Sequence, residues 1–340
     1  MFSNMGDKIE KKRLAILKIL NESDKPMTSP KITEVLIAQG LDVSERTVRL
    51  YLMGLDNEGL TKNYGKRGRI IIDKGQKELS AARVYEKVGF LAAKIGQMTY
   101  KMDFNLSKKS GTLIMNVSLI ERDQIYRSIP LIKEVFAAGF AMGELVAVFK
   151  PGERLGELFV PEGFVGIGTI CSVTLNGVLL SSGIPVNSNF GGLLEIYNKK
   201  PVRFVELIMY KGTTLDPLEV FIQSGMTDCI GAINAESGRI GASFREMPKE
   251  SRDQVIDLSR QLEQVGLGGF LMIGWTDQHL LEIPVSEGSI GAVVIGGLNP
   301  MAILVEHGIR IQRLDALAGL IEYHKLFSYK ELEKRVREIL

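Results

Sequence analysis

The stretch L-D-V-S-E-R-T-V-R-L-Y-L-M-G-L-D-N-E-G-L, residues 41–60, constrains this chain more than any other. It reads as a capped helix with one apolar face. Ser44 is placed to accept a hydrogen bond from an otherwise unpaired N–H at the helix start. Val48, Leu52 and Leu55 fall at i, i+4 and i+7 and form one stripe. Arg46 and Arg49 lie away from that stripe, and Gly59 is placed to end the helix in a left-handed cap. The next ten residues, T-K-N-Y-G-K-R-G-R-I, carry four cations and no carboxylate. A helix backed by apolar residues, with arginines outward and a cationic hairpin behind it, is what a DNA-reading winged helix needs. The helix enters the major groove and the hairpin holds phosphates. The expected DNA contacts are Ser44, Arg46, Thr47 and Arg49 from the helix, with Lys62, Lys66, Arg67 and Arg69 from the wing.

Two earlier helices fit the same module. Ile9, Ile16, Leu17 and Leu20 are helically spaced, and Ser29-Pro30 is an N-cap followed by proline at the first helical position. Ile32, Val35 and Leu36 make the inner face of the second helix, and Gly40 is placed to end it. Helix arginines are commonly just solvated, but the basic wing at the right distance favours a nucleic-acid surface. The residues do not distinguish duplex DNA from RNA.

Charge sharpens this reading. Residues 1–73 hold 13 Lys/Arg against 10 Asp/Glu, a local +3 within a whole-chain charge of +2. So mild a bias suits weak binding by one module and points to a dimer. The two cysteines, Cys171 and Cys229, suit a reducing cytoplasm better than a disulfide framework. The start, M-F-S-N-M-G-D-K-I-E-K-K-R, lacks the apolar region of a signal peptide, and no uncharged apolar run is long enough to cross a bilayer. His279, His307 and His324 share no metal-ligand spacing, and no phosphate-loop or nucleophile-elbow motif is present. No cofactor, metal, catalytic residue or membrane is therefore expected.

Behind the wing, Ala81, Val84, Val88, Leu91, Ile95 and Met98 follow heptad spacing and predict one helix over 75–98. It either pairs with its copy in a dimer or packs on its own domain. From residue 111 the chain then repeats itself. Arg122-Asp123-Gln124 and Arg252-Asp253-Gln254 align at an offset of 130, as do Gly139-Phe140 and Gly269-Phe270. Ile184-Pro185-Val186 and Ile283-Pro284-Val285, Pro201 and Pro300, and Leu215-Asp216 and Leu314-Asp315 align at 99, so copy 1 is expected to carry about 31 extra residues. Helices are predicted over 121–138 and 251–265, and strands over 112–119, 144–149, 169–175, 192–197, 202–210, 229–234, 239–245, 270–274, 290–295 and 301–306. The expected fold is α+β: an N-terminal winged helix-turn-helix over 1–74, a linker helix over 75–110, then an internally duplicated α+β regulatory domain over 111–340. Copy 1 spans about 111–222 and copy 2 about 238–325.

The extra segment leads into T-I-C-S-V-T-L-N-G-V-L-L-S-S-G-I-P-V. Here Gly168, Thr169, Cys171, Ser172, Thr174 and Asn176 bring small hydroxyls and glycine N–H groups together, which suits a small anion. Arg203, Arg154 or Lys211 would supply charge. The bland alternative is a hairpin turning at Asn176-Gly177.

With these residues in hand, the chain resembles the archaeal nitrogen-regulatory repressor family, NrpR. The resemblance covers nearly the whole chain and rests on the winged helix, on K-V-G-F-L-A-A-K-I-G-Q-M-T-Y-K-M-D-F, and on P-E-G-F-V-G-I-G-T-I-C-S-V-T-L-N-G-V-L-L-S-S-G-I-P-V. It implies a repressor of nitrogen-assimilation genes that binds double-stranded operator DNA as a homodimer and is released by 2-oxoglutarate. It also leaves room for a second homologue or a general transcription factor as partner. A dianion with a keto group needs a cation and several donors, and the cluster at Cys171 with Arg203 is the expected pocket. Two other classes remain: a winged helix used for protein contacts, and an enzyme fused to a winged helix, for which no acid–base pair is readable.

Overall fold

The computed structural model describes residues 3–340 apart from 22, 24, 39, 40, 42, 87–89, 157, 235 and 236, with side chains described outside 3–11 and 80–86. Gly40, the packing of Ile9, and Ala81, Val84 and Val88 of the heptad pattern lie outside that description. The chain separates into two compact units, residues 1–88 and 89–340. Among the described residues no helix is long and apolar enough to cross a membrane.

The first unit runs α1 (Ser3–Asn21), α2 (Ser29–Ala38), α3 (Glu45–Asn57), β1 (Thr61–Asn63), β2 (Arg69–Ile71) and α4 (Asp73–Glu86). The predicted stripe is its core: Val48, Leu52 and Leu55 are fully buried against Ile16, Leu17, Leu20, Ile32 and Leu36. Each such side chain contributes about 1.5–3 kcal/mol by leaving water. Both ends of α3 are built as read. Ser44 Oγ accepts from Thr47 N at 3.2 Å. Gly59 has φ +70°, and Leu60 N reaches back to Leu55 O at 2.9 Å, which closes the helix in a Schellman turn. β1 and β2 pair antiparallel as the wing, and Met27 adds a bridge to Arg69. Gly68 (φ +106°) makes that approach possible, because a Cβ there would lie 2.2 Å from Met27 O.

The second unit opens with α5 (Phe90–Lys101). Then follow β3 (Thr112–Glu121), α6 (Ile125–Ala137), β4 (Leu145–Phe149), β5 (Arg154–Leu155), β6 (Leu158–Phe159), β7 (Phe164–Ile170), α7 (Thr174–Ser181), β8 (Asn187–Tyr197), β9 (Lys200–Met209), α8 (Pro217–Gln223) and α9 (Cys229–Ile233). The chain continues with β10 (Ser237–Pro248), α10 (Arg252–Gln264), β11 (Phe270–Ile273), β12 (Ser289–Ile295), α11 (Asn299–Glu306), β13 (Ile311–Glu322), β14 (Phe327–Ser328) and α12 (Leu332–Ile339). Two five-stranded antiparallel sheets result, ordered β13-β3-β7-β4-β14 and β11-β12-β10-β8-β9.

The duplication is present, but its register differs from the sequence alignment. Each copy is strand–helix–strand–strand–helix–strand: β3-α6-β4-β7-α7-β8 and β10-α10-β11-β12-α11-β13. Equivalent elements lie 125 residues apart (289 − 164 for the third strands, 299 − 174 for the second helices), and no 31-residue addition separates them. The Ile-Pro-Val and Leu-Asp pairs at offset 99 occupy unrelated places: Leu215-Asp216 precedes α8, whereas Leu314-Asp315 lies inside β13. Short matches at turns recur because turns reuse the same few residues.

The copies also exchange their last strands. β8 of copy 1 pairs with β10 of copy 2, and β13 of copy 2 pairs with β3 of copy 1. Neither sheet is complete without both halves. Two cores follow. One joins α6 and α11 through Ile125, Ile129, Ile132, Met301 and Ile303, and the other joins α7 and α10 through Leu175, Val178, Val255 and Leu262.

Three local expectations are overturned. Residues 229–234 and 301–306, read as strands, lie largely in α9 and α11. The predicted strand 169–175 splits, since β7 ends at Ile170 and α7 starts at Thr174. Asn176-Gly177 is not a hairpin turn but the middle of α7, where Gly177 leaves room for Met102 (a Cβ would sit 2.5 Å from its methyl carbon). Of the helix predicted over 75–98, residues 75–86 lie in α4 and 90–98 in α5, with 87–89 outside the described residues, and Leu91 and Ile95 of α5 pack within the second unit against Ile114, Cys171, Val173 and Leu317.

Candidate nucleic-acid interface and effector cleft

The helical period places Arg46 directly opposite the buried stripe of α3. Arg46 is exposed. Arg49 is exposed too but forms an i,i+4 ion pair with Glu45 at 2.5 Å. Such a pair is worth only about 0.3–0.5 kcal/mol, so it yields readily to a stronger acceptor. Ser44 and Thr47 are tied to one another through their hydroxyls at 2.8 Å, which makes them cap residues first.

The wing divides its cations. Lys66 and Arg67 stand exposed on the turn between β1 and β2, and Lys62 lies 5.6 Å from the Tyr64 ring centre. Arg69 is different. Its Nε bonds Asp56 Oδ2 at 2.7 Å with both side chains largely buried, and Thr61 Oγ1 donates to the same carboxylate. Arg69 therefore pins the wing to α3 and is not a free phosphate hand, which corrects its sequence assignment.

In the second unit the small-residue cluster sits where β7 passes into α7, and it does several jobs. Gly168 makes room for Phe149 and Ala147 across the sheet. Thr169 is buried within β7. The Thr174 hydroxyl is consumed by Ile114, accepting from its N at 3.1 Å and donating to its O at 3.0 Å. Cys171 and Ser172 line a narrow cleft with Asn116, Val173, Tyr210, Asp216, Leu298 and Leu317, and Ile95 of α5 stands against it. The cleft admits water centres over only about 10 Å³, the space of a single water molecule. Burial pushes the Cys171 thiol up to about 12, so it is an inert lining group.

Two carboxylates face the same region. Asp216 caps α8, accepting from Leu218 N at 2.9 Å, yet burial pushes its pKa up to about 6. Glu219 accepts from Ala316 N and is pushed up to about 7 by burial, then by Asp216 and Asp315. Lys94 of α5 draws both down and donates to Ala316 O at 3.3 Å.

The cation expected here, Arg203, is elsewhere: it lies exposed on β9 and pairs with Glu195 at 2.9 Å. The structure supplies another. Arg245 of β10 is 1% exposed, and its guanidinium donates to Asn176 Oδ1 while Asn176 Nδ2 donates to Ser188 Oγ at 3.0 Å. No ion pair to Arg245 forms among the described residues, and its buried Nε has no partner. Burial drives its pKa downward. The guanidinium is thus buried with one neutral side-chain partner, Asn176, and burying such a charge without a counter-charge is costly.

The comparisons with known proteins fit both units. Residues 88–328 match the family model of NrpR regulatory domains NRD1 and 2, and residues 14–79 match that of the Ribonuclease R winged-helix domain. The chain is 34% identical to the global nitrogen regulator NrpRI of Methanosarcina mazei, over 95% of this chain and 99% of that protein. It is 32% identical to the global nitrogen regulator NrpR of Methanococcus maripaludis over 86% of its own length, and spans 51% of that longer protein. A crystallised nitrogen repressor-like protein from Methanococcus jannaschii superposes with a TM-score of 0.60 at 27% identity, covering 70% of this chain and 97% of that one. A winged helix, a strand-exchanged duplicated regulatory unit and these likenesses place the chain among regulators rather than enzymes: it belongs to the NrpR family of nitrogen regulators.

Proposed function

We propose that the protein represses nitrogen-assimilation genes by binding duplex operator DNA through α3 and the wing, and that 2-oxoglutarate releases it. The observation that carries the reading is α3 itself, whose exposed Arg46 lies opposite the buried stripe with exposed Arg49 to one side, and which is followed by a cationic wing. Arg46 is the principal base reader, since Arg49 must first leave Glu45. The few cations of one module call for two modules on a two-fold site, with half-sites about 10 base pairs apart or a multiple of that.

Arg245 supports the effector half. 2-Oxoglutarate brings carboxylates to which Arg245 offers its unused Nε–H, and Arg245 interacts electrostatically with Cys171 and Tyr210, which line the cleft. The cleft is too small for the ligand while α5 is seated, so binding must displace α5, whose Leu91 and Ile95 pack beside Cys171. α5 follows the first unit directly in the chain. A ligand that prefers the displaced state shifts the winged helices off their half-sites.

The test is binding to a duplex selected from a random library. Arg46→Ala is expected to cost about 1–3 kcal/mol and to relax specificity. Unchanged affinity and specificity in Arg46→Ala and Arg49→Ala would exclude α3 as the reader.

A further inference from the structure

The face of α3 that meets solvent is not simply cationic. With 100° between successive residues, Arg46, Leu50, Met53 and Asn57 fall at i, i+4, i+7 and i+11 and form one line, opposite the fully buried line Val48, Leu52, Leu55. Leu50 is 67% and Met53 56% exposed. A single exposed leucine needs no explanation. Two adjacent large apolar side chains between an arginine and an asparagine, on a helix that already has its buried stripe, are a different matter. They leave an exposed apolar patch in the centre of the face.

We propose that Leu50 and Met53 are specificity-determining residues that read thymine through its C5 methyl group. This rests on the reading of α3 as a DNA reader and goes beyond it by naming the base. On the major-groove edge, thymine offers the only apolar group, while guanine and adenine offer hydrogen-bonding atoms suited to arginine and asparagine. The order Arg46, Leu50, Met53, Asn57 therefore matches a half-site with one or two thymines between bases read by polar contacts. The wing cations Lys66 and Arg67 hold the backbone and carry no such information. Removing the methyl group from DNA leaves pairing and charge unchanged, so the idea has a clean chemical probe.

The full-length protein is first used to select duplexes from a random library. The selected duplex is then resynthesised with deoxyuridine in place of thymidine, one position at a time, with an unselected duplex carrying the same replacements as control. For the wild type, at least one uracil per half-site is expected to weaken binding 3-fold or more, with no change on the control. Leu50→Ala or Met53→Ala is expected to bind the thymine duplex as weakly as wild type binds the uracil duplex, and to lose the thymine–uracil difference at one position. Both side chains are exposed, so melting temperatures should stay at the wild-type value. Equal binding of thymine and uracil duplexes at every position by the wild type would overturn the proposal and leave DNA reading intact. So would both alanine variants that keep the discrimination, which would assign the patch to a protein contact. If no sequence is enriched at all, the DNA-reading assignment fails first, and this one with it.

Discussion

Replacing Arg245 by methionine separates an effector receptor from a structural strut. The wild-type guanidinium is buried with one hydrogen-bonded side-chain partner, Asn176, and an orphan Nε. Replacing buried ionic groups by apolar side chains of similar volume ranges from neutral to stabilising by about 1–4 kcal/mol. Against that, Asn176 Oδ1 loses its donor, at about 1–3 kcal/mol. The two nearly cancel, so ligand-free Arg245→Met should stay within about 2 kcal/mol of wild type. For a unit of this size that is at most a shift of about 8 °C. The ligand response separates the proteins instead. If it binds as proposed, 2-oxoglutarate at 100 times its Kd should stabilise the wild type by about 2.7 kcal/mol, a rise of about 5–11 °C in the melting of the second unit. Arg245→Met should show none of this rise. Arg245→Lys should show part of it, because it keeps the charge and loses the fork. Calorimetric melting with and without ligand reads all three. A full ligand-induced rise in Arg245→Met would refute the assignment. A loss of stability beyond about 5 kcal/mol would show that Arg245 holds the fold rather than the ligand.

Further outcomes follow from the geometry. Asp216 and Glu219 have raised pKa values in the fold, so the folded state holds more protons than the unfolded chain between about pH 4 and 7; their contribution to stability is present below that window and lost as pH rises through it. Melting of the Asp216→Asn/Glu219→Gln variant should fall less steeply over that window, and 2-oxoglutarate should bind wild type more tightly at pH 6 than at pH 8. An unchanged slope would remove these carboxylates from the account. Gly297→Ala should destabilise by about 1–3 kcal/mol or more and close the cleft, since its Cβ would lie 2.2 Å from Ile170 O and 2.6 Å from Asn116 Nδ2. In salt titrations of DNA binding, Lys66→Ala should lower the slope by about one unit. Arg69→Ala should instead lower the melting of the first unit, because it breaks the bond to Asp56.

What the sequence reveals and what it hides divides along local and non-local lines. α3, its Ser44 cap and its Gly59 stop are legible because each depends on residues within one turn. α6 and α10 are legible from their apolar stripes. The strand exchange is not, because the partners of β8 and β13 lie far away in the chain. α9 and α11 read as strands because short, wholly apolar runs carry no period. Arg245 escaped for a related reason. Ile240, Ala242 and Phe244 alternate with Gly241, Ser243 and Arg245, so β10 looks like a strand with one wet face. Tertiary packing buries both faces, and only the fold reveals that the arginine is dry.

The central claim is that effector and operator compete for the arrangement of one molecule, and linkage tests it most directly. Operator affinity is measured with and without saturating 2-oxoglutarate, and 2-oxoglutarate affinity with and without saturating operator, under identical salt. The account predicts that each ligand weakens the other by the same factor, about 5- to 150-fold, and that both effects vanish in Arg245→Met, which keeps ligand-free DNA binding. Operator affinity indifferent to 2-oxoglutarate in the wild type would contradict it.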